Sequence, residues 1–588
     1  MTTLNTFERT STLMQRKFNK YLLPTVLTTI AIYTSGVVDS IMVGNLLSEA
    51  ALSATGLTMP IIYIMNAFFM IFAIGGSTFA SITNGQRDKE KVNRVFTTTY
   101  VVGLTVAFAF AFTVLLFAHP ISNMLAKGEP QLAKMCRDYF IPIAFNCPVL
   151  LIVLGMAYFV RIEGKPKVAA QIVIISNFAN LVLLYVFIKI FNWGMLGAGL
   201  STVVGYCIGF VVLVPYFLSK NRSLFFVKPC RKGLKLLPRI LGIGTPKALM
   251  LCLSFLRFLA LNALIMATLG KNGMIAMTVC LNALMLASMF INGTMDTLLP
   301  IVGTLFGEKD YKGIFFSMRT GLKFMFIACF LVITGLLVFP EAIGRIFGIQ
   351  SAEALSIVSS ALRMYAFSLL LYGVNIMLHN FYTTTGRAKL SSLIVILNGF
   401  VFVLFFAFVL SRYNSNYIWM AFLLSEAATL LVVLLVGKFI RKKEAVTGVL
   451  LLNQKTDSKS LDLTIPATIE SAVGLSDFVV AELASVLSDK SSLLKIGIAI
   501  EEMAVNIAKY GHKKKQGFID LLVRITDEET ILRIRDDGIP FDPTLYTTNE
   551  INDFAIGGIE VVRRLAKNIV YSRQLGFNIS IITLSKGV

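Results

Sequence analysis

Long apolar stretches constrain the fold of this chain more than any other feature of its sequence. Twelve can be counted, at residues 20–43, 54–83, 95–118, 135–160, 167–190, 195–218, 239–268, 274–306, 320–340, 354–384, 390–410 and 417–439. A helix needs about 20 apolar residues to cross the hydrocarbon core while satisfying its own backbone. Each stretch therefore predicts one transmembrane helix. The composition agrees: 56% of the 588 residues are hydrophobic and 15% charged, which excludes an ordinary soluble chain.

The formal net charge of +21 does not imply a nucleic-acid partner, because the excess falls before residue 444 in short loops between the apolar stretches. Arg16, Lys17 and Lys20, then Arg87 to Arg94, Arg161 to Lys167, Lys220 to Arg239, Lys309 and Lys312, Arg387 and Lys389, and Arg441 to Lys443 all fall on one side. The positive-inside bias makes that side cytoplasmic and predicts that both termini lie there. No cleavable signal peptide is evident. The seven cysteines have no metal-ligand spacing and read as small core residues in a reduced, cytoplasm-facing protein.

The apolar region repeats. Pro24 in "YLLPTVL" matches Pro246 in "IGTPKALM", Gly85 and Asp88 in "NGQRDKEK" match Gly307 and Asp310 in "FGEKDYKG", and Gly164 and Lys167 in "EGKPKVAAQIV" match Gly386 and Lys389 in "TGRAKLSSLIV". Every pair is 222 residues apart. Six spans per repeat return the chain to its starting side, so the halves are parallel repeats, an arrangement of transporters with a central site.

The motifs "VDSIMVG", "GGSTFASITNGQRDKEKV", "RIEGKPKVAAQIVIISNFANLVLLYVF" and "GMLGAGLSTVVGY" resemble the multidrug and toxic compound extrusion family of secondary antiporters, over roughly residues 15–443. The resemblance implies an all-α membrane fold of two six-helix lobes around a V-shaped cleft, 20–218 and 239–443, joined by a cytoplasmic loop at 219–238. It also implies a bacterial inner-membrane location and export of organic cations coupled to H⁺ or Na⁺ entry.

Acids inside spans cost at least ~2.5–3.5 kcal/mol at the bilayer centre and are functional candidates by default. Asp39, Asp296 and Glu426 qualify. Shifting by 222 places Leu261 opposite Asp39 and Ile74 opposite Asp296, so neither acid belongs to the shared scaffold. The family resemblance implies that Asp39 binds the coupling ion, supported by Asn177 and Asn180, and Asp39 could there exchange a proton or Na⁺. The alternative for each acid is a cap on a broken helix or a hydrogen bond to a neighbouring span. His379 and Arg257 read as structural or snorkelling residues.

After Lys443 the composition changes: residues 444–588 carry 16 Lys+Arg against 19 Asp+Glu, marking a linker at 444–458 and a soluble domain from 459. "SLDLTIPA" predicts a strand, "TIESAVGLSDFVVAELASVL" and "SSLLKIGIAIEEMAVNIAKYG" helices, "GFIDLLVRITDEETILRIRDDG" a hairpin, "IEVVRRLAKN" a helix, and "IVYSR" and "NISIITLS" closing strands. The expected fold is an α+β sandwich, an antiparallel sheet with helices on one face. Glu502 and Asn506 are four apart and share a helical face. Asp536 and Gly538 fall at a strand end, and the glycines of "FAIGGIEVVRRL" open a helix whose N-terminus suits phosphate.

Those three boxes, in order, resemble the nucleotide pocket of the histidine-kinase-like (GHKL) ATPase superfamily, and the short intervening segment resembles its anti-sigma-factor serine kinase branch. The resemblance implies ATP or ADP with Mg²⁺. It makes Asn506 the Mg²⁺ ligand, Glu502 the acid that activates a nucleophile, Asp536 the acceptor from the adenine amino group, Gly538, Gly557 and Gly558 the backbone positions nearest the nucleotide, and Lys509 a phosphate contact. Ile539 and Pro540 replace a second glycine, and "AIGGIE" departs from the usual glycine-leucine-glycine, which weakens the case for phosphoryl transfer relative to binding.

Together these readings predict an ion-coupled exporter of organic cations or drugs with a cytoplasmic ATP-binding regulatory domain, which could be a serine/threonine kinase or weak ATPase and could engage an anti-anti-sigma-like protein. The alternatives are a membrane receptor signalling through a kinase-like domain, and a flippase for a lipid-linked precursor. No GxxxxGK[ST] motif occurs, so P-loop-driven pumping is not expected.

Overall fold

The computed structural model describes residues 8–126, 129–219, 222–347, 349, 351–453, 459–485, 487, 489–512, 517–526, 528–545 and 554–585. The chain forms two compact units. One comprises residues 18–452; the other joins residues 453–588 to the amino-terminal residues up to Lys17.

In the first unit the apolar stretches are helical. Among the described residues, eleven helices are long and apolar enough to cross a bilayer, and the pair Ala352–Ala366 and Ser368–Thr384, bent by 41°, supplies the twelfth span. The first helix, Thr12–Leu46, starts earlier than the apolar stretch that announces it. Leu13, Met14 and Phe18 are fully buried, so this turn is already helical, with Arg16 and Lys20 on its exposed side, and the three basic residues do not precede the helix.

The internal repeat is present in the backbone. Asp88 caps one helix by accepting from the Lys91 amide, and Asp310 caps its counterpart by accepting from Gly313. The residues just before these caps, Arg87 and Lys309, have φ of 64° and 59°, and Gly164 and Gly386 have φ of 86° and 80°. A side chain in that left-handed region is strained, which explains glycine at the last two positions.

The repeats meet where the second span, Met59–Gly85, crosses the eighth, Asn272–Gly307. A Cβ on Gly85 would lie 2.0 Å from the Thr304 carbonyl oxygen, and one on Gly307 would lie 2.0 Å from the Ile82 carbonyl oxygen. Ile82 and Thr304 are themselves repeat equivalents. The contact is thus reciprocal and backbone to backbone, and only glycine permits it.

The expected linker at 444–458 is partly wrong. Residues 444–452 fold onto the membrane unit: Arg387 pairs with Glu444 at 2.8 Å, Tyr382 donates to the Val449 carbonyl at 2.6 Å, and Leu451 and Leu452 are buried. The apolar "VLLL" there cannot behave as a solvated linker. Residues 454–458 lie outside the described residues.

The second unit contains a five-stranded antiparallel sheet of β1 (Lys459–Pro466), β2 (Phe518–Ile525), β3 (Glu529–Asp536), β4 (Asn568–Gln574) and β5 (Phe577–Ser585), in the order β1-β2-β3-β5-β4. Helices α1 (Ile469–Ala484), α2 (Lys490–Tyr510) and α3 (Phe554–Leu565) pack on one face. Leu463, Ile465, Leu521, Val523, Leu532, Ile534 and Ile582 alternate inward to meet Leu475, Val479, Ile496, Ile500, Met503 and Val562, as a half-covered antiparallel sheet requires.

Candidate functional site

Among the described residues, two cavities of the membrane unit are lined by the candidate acids. The first, of about 290 Å³, is lined by Asp39, Tyr139, Asn146, Thr202, Arg161 and Asp296 among others. Asp39 lies within the first helix, and its Oδ1 is buried without a hydrogen-bond partner among the described residues. Asn180 donates to Thr202 Oγ1 at 3.0 Å, and Asn177 donates to the carbonyl of Val173 at 2.8 Å. Thr202 and Val173 both line the cavity, so the amides of the fifth span support its wall. Gly205 lets the sixth span approach closely, since a Cβ there would lie 2.7 Å from the Asn180 amide nitrogen.

Asp296 shares the cavity under different electrostatic conditions. Arg161 Nη1 lies 3.6 Å from its carboxylate, and the Arg161 carbonyl accepts from Tyr21 at 3.1 Å. A buried arginine beside a carboxylate compensates its negative charge by direct pairing. Asp296 is therefore a paired acid and Asp39 an uncompensated one, a distinction absent from the sequence reading.

The second cavity, of about 640 Å³, is lined by Glu426, Arg257, Tyr365, Tyr372, Phe255 and Met277 among others. Glu426 Oε2 accepts from Asn375 at 2.6 Å and from Asn398 at 3.2 Å. The sequence reading treated Arg257 as structural, and it missed both amides. Its complement is the structural reading of His379, which is completely buried with Nδ1 2.7 Å from Ser391 Oγ.

In the second unit, α2 begins at Asp489, whose carboxylate accepts from the amides of Ser491 and Ser492, each at 2.9 Å. Burial of Ile496, Ala499, Ile500, Met503 and Ala504 leaves Glu502 and Asn506 on the facing edge, with Lys509 exposed one turn on. Asn506 donates to the Glu502 carbonyl at 2.7 Å through its amide nitrogen. Glu502 is raised above the usual carboxylate range by burial and then by Glu501, against the opposing pull of Lys509.

Asp536 ends β3 and is buried. Its Oδ1 accepts from the Gly538 amide at 2.8 Å and from Asn578 at 2.9 Å, the latter being its direct register partner on β5. Burial raises Asp536 above the ordinary range, with these hydrogen bonds opposing the shift. Asn578 was missed; its signal was a polar residue on an inward-facing strand position. Gly538 is tightly enclosed, because a Cβ there would lie 2.5 Å from the Gly511 carbonyl oxygen.

The glycines of "AIGGIE" do not open their helix. Gly557 and Gly558 lie one turn inside α3, where Gly557 is exposed and Gly558 packs on Glu502: a Cβ there would lie 1.7 Å from Glu502 Oε2. Helix α3 starts earlier than its glycines suggest, so a phosphate at its N-terminus would meet amides preceding Gly557. The residues between Leu545 and Phe554 lie outside the described residues.

A family model described as MatE matches residues 24–186 and again 246–409, two matches that begin 222 residues apart. The chain belongs to the MatE family. A second family model, described as a histidine kinase-like ATPase domain, matches residues 465–585. The MatE chain is 24% identical over 387 residues to a protein named multidrug export protein MepA from Staphylococcus haemolyticus, covering 65% of this chain and 84% of that one. It is 21% identical over 435 residues to the protein of the same name from Staphylococcus aureus strain RF122, covering 72% and 93%. Among solved structures, an outward-facing multidrug resistance MATE family transporter aligns with a TM-score of 0.67 at 20% identity, covering 73% of this chain and 96% of that one. A MOP superfamily transporter from Pyrococcus furiosus aligns with a TM-score of 0.66 at 18% identity, covering 74% and 99%. These similarities establish the MATE fold of the membrane unit and the histidine kinase-like character of the second unit.

Proposed function

We propose that this MatE protein is an ion-coupled exporter of organic cations or other drugs, whose histidine kinase-like domain binds ATP and regulates transport. The observation that carries the reading is Asp39, a half-buried carboxylate whose buried Oδ1 has no partner among the described residues, on a cavity that also holds Asn146, Thr202, Arg161 and Asp296. Such a group gains most from a proton or Na⁺ arriving from the cavity, and loses it when a substrate or conformational change alters its surroundings. Asn177 and Asn180 would hold the wall against which that ion sits. The larger cavity, lined by six aromatic side chains with Glu426 and Arg257, offers an apolar surface carrying both charges for a small amphipathic substrate. The MepA relatives, named as multidrug export proteins, support multidrug export, and the one-sided Lys/Arg loops support a bacterial cytoplasmic-membrane location with both termini in the cytoplasm.

The second unit's residues fit a nucleotide. Asp536 carries both its protein hydrogen bonds on Oδ1, and Gly538 closes the turn beside it, which leaves Oδ2 for an adenine amino group. Asn506 offers a hard amide oxygen suited to Mg²⁺, and Lys509 lies within the same face for a phosphate. Bound ATP would supply a concentrated negative charge bridged by that metal. Glu502 holds the position of a general base, and its raised proton affinity keeps it available as one. A cytoplasmic protein acceptor related to anti-anti-sigma factors would suit such a domain.

The test is uptake of a fluorescent organic cation by proteoliposomes under an imposed pH or Na⁺ gradient, with and without MgATP. Gradient-driven uptake lost on Asp39→Asn supports the antiporter, and an ATP effect lost on Asn506→Ala supports regulation. Absence of uptake under either gradient, with the protein folded, would overturn the export reading.

A further inference from the structure

Consecutive residues on a strand point to opposite faces, and β3 uses this with unusual consequence. Asp536 joins Asn578 on the helix-bearing face, while Arg535 points the other way, opposite Asp520 of β2, which in turn faces Thr464 of β1. The second face of the sheet thus carries charges, yet Arg535 is 0% and Asp520 1% exposed. The amino-terminal residues cover them. Arg9 lies 3.8 Å from Asp462 and 3.6 Å from Asp520. The Thr10 amide donates to Thr464 Oγ1 at 3.0 Å, which donates to Asp520 Oδ1 at 2.9 Å. Lys17 stacks on the Phe577 ring at 3.9 Å. Arg16 lies over the Phe518 ring at 4.4 Å and 3.9 Å from Asp537.

Asp537 is the residue after the adenine-facing Asp536, and His512 lies 3.8 Å from its other oxygen. One short turn therefore touches the nucleotide pocket on one side and the amino-terminal segment on the other. We propose that residues 9–17 form a latch on the ATPase domain whose hold is set by nucleotide binding through the Asp536–Asp537 turn. This rests on the reading of that pocket as an ATP site. Arg9 supplies the anchor, since a buried guanidinium between two aspartates is lost only at large cost. Arg16 supplies the sensor, being half-exposed and paired with Asp537, the immediate neighbour of the aspartate that would receive the adenine. Coupling of this kind is reciprocal: the factor by which nucleotide alters docking of the latch is the factor by which docking alters nucleotide affinity.

The experiment uses the full chain in lipid nanodiscs, with hydrogen exchange read on peptides covering residues 9–17 and affinity read with a fluorescent ATP analogue and Mg²⁺. Saturating analogue should change exchange of this segment at least about fivefold, and Arg16→Gln should change the analogue's Kd by a comparable factor. Arg9→Gln should raise exchange of the segment even without nucleotide. Unchanged exchange on saturation, or an unchanged Kd in Arg16→Gln, overturns the coupling. A wild-type chain that binds no analogue overturns the ATP-site reading and the coupling with it, and is distinguished by the missing binding signal. Arg16→Gln is the milder variant and keeps the test decisive where Arg9→Gln fails to fold.

Discussion

Replacing Gly85 and Gly307 together by alanine should force open the seam between the two repeats. Each new Cβ would lie 2.0 Å from a backbone carbonyl oxygen, more than 1 Å inside the 3.4 Å at which ordinary contact begins. A backbone atom cannot swing away as a side chain can, so both helices must part. Overpacking of a well-fitted core costs about 1–3 kcal/mol, and two rigid clashes put the pair near the upper end. Alanine also favours helix over glycine by about 1 kcal/mol per site, but that gain is common to every state in which these helices persist. The difference falls on the closed seam alone. At about 1.4 kcal/mol per tenfold change in an equilibrium constant, 2–3 kcal/mol shifts the balance from closed to open seam by about 30- to 150-fold. A cysteine at Ser81, whose hydroxyl lies against Gly303, reports this in a background lacking the seven native cysteines. Its labelling by a water-soluble thiol reagent should accelerate by at least about tenfold in the double variant. Unchanged labelling, with thermal stability also unchanged, would refute the claim that only glycine permits this seam to close.

Asp39→Asn should abolish gradient-driven cation uptake while leaving the melting temperature within a few degrees, as scored by proteoliposome flux and by thermal unfolding in detergent. Asn375→Leu removes the hydrogen bonds that Asn375 donates to the carboxylate and the carbonyl of buried Glu426, and the loss of partners for a buried polar group should lower stability by about 1–3 kcal/mol, measurable as a depressed melting temperature. Asp536→Asn should weaken binding of a fluorescent ATP analogue at least about tenfold. The pH dependence of that binding has a definite sign: ionised Asp536 accepts from an amino group more strongly than the neutral acid does, and its raised proton affinity means the ionised form is lost sooner as pH falls. Nucleotide affinity should therefore be held at neutral and alkaline pH and decline on acidification, beginning above the usual carboxylate range near ~3.9. The Asn variant should lose this dependence.

Spans and repeat were legible because they rest on single-residue arithmetic: twelve apolar runs and an offset of 222, which returned as matched caps at Asp88 and Asp310 and matched backbone at Gly164 and Gly386. The strands and helices of the second unit were legible for a similar reason, their apolar residues alternating or recurring with the element's own period. Partnerships across sequence were not legible. Nothing local to Asp296 announces Arg161, and nothing local to Glu426 announces Asn375 and Asn398, because those pairs form only when spans pack. Helix starts were also displaced. Lys17 and Lys20 look like loop charges until Leu13, Met14 and Phe18 are seen on one buried face, and Gly557 and Gly558 look like a helix opening until α3 is found to begin at Phe554. Arg9 had no sequence signal, since its two aspartate partners lie more than 450 residues away.

The cover that Arg9 and Thr10 place on the sheet makes the second unit discontinuous in the gene. A fragment cut at residue 444 or 453 would carry Glu502, Asn506 and Asp536 but would leave Asp462, Asp520 and Arg535 without the amino-terminal cover they have in the full chain. A peptide of residues 8–17 added in trans is the missing piece for such a fragment. For the same reason an affinity tag fused directly before Arg9 would not hang from a loose tail. It would sit at the edge of the ATPase sheet, and a carboxy-terminal tag is the safer handle for purification.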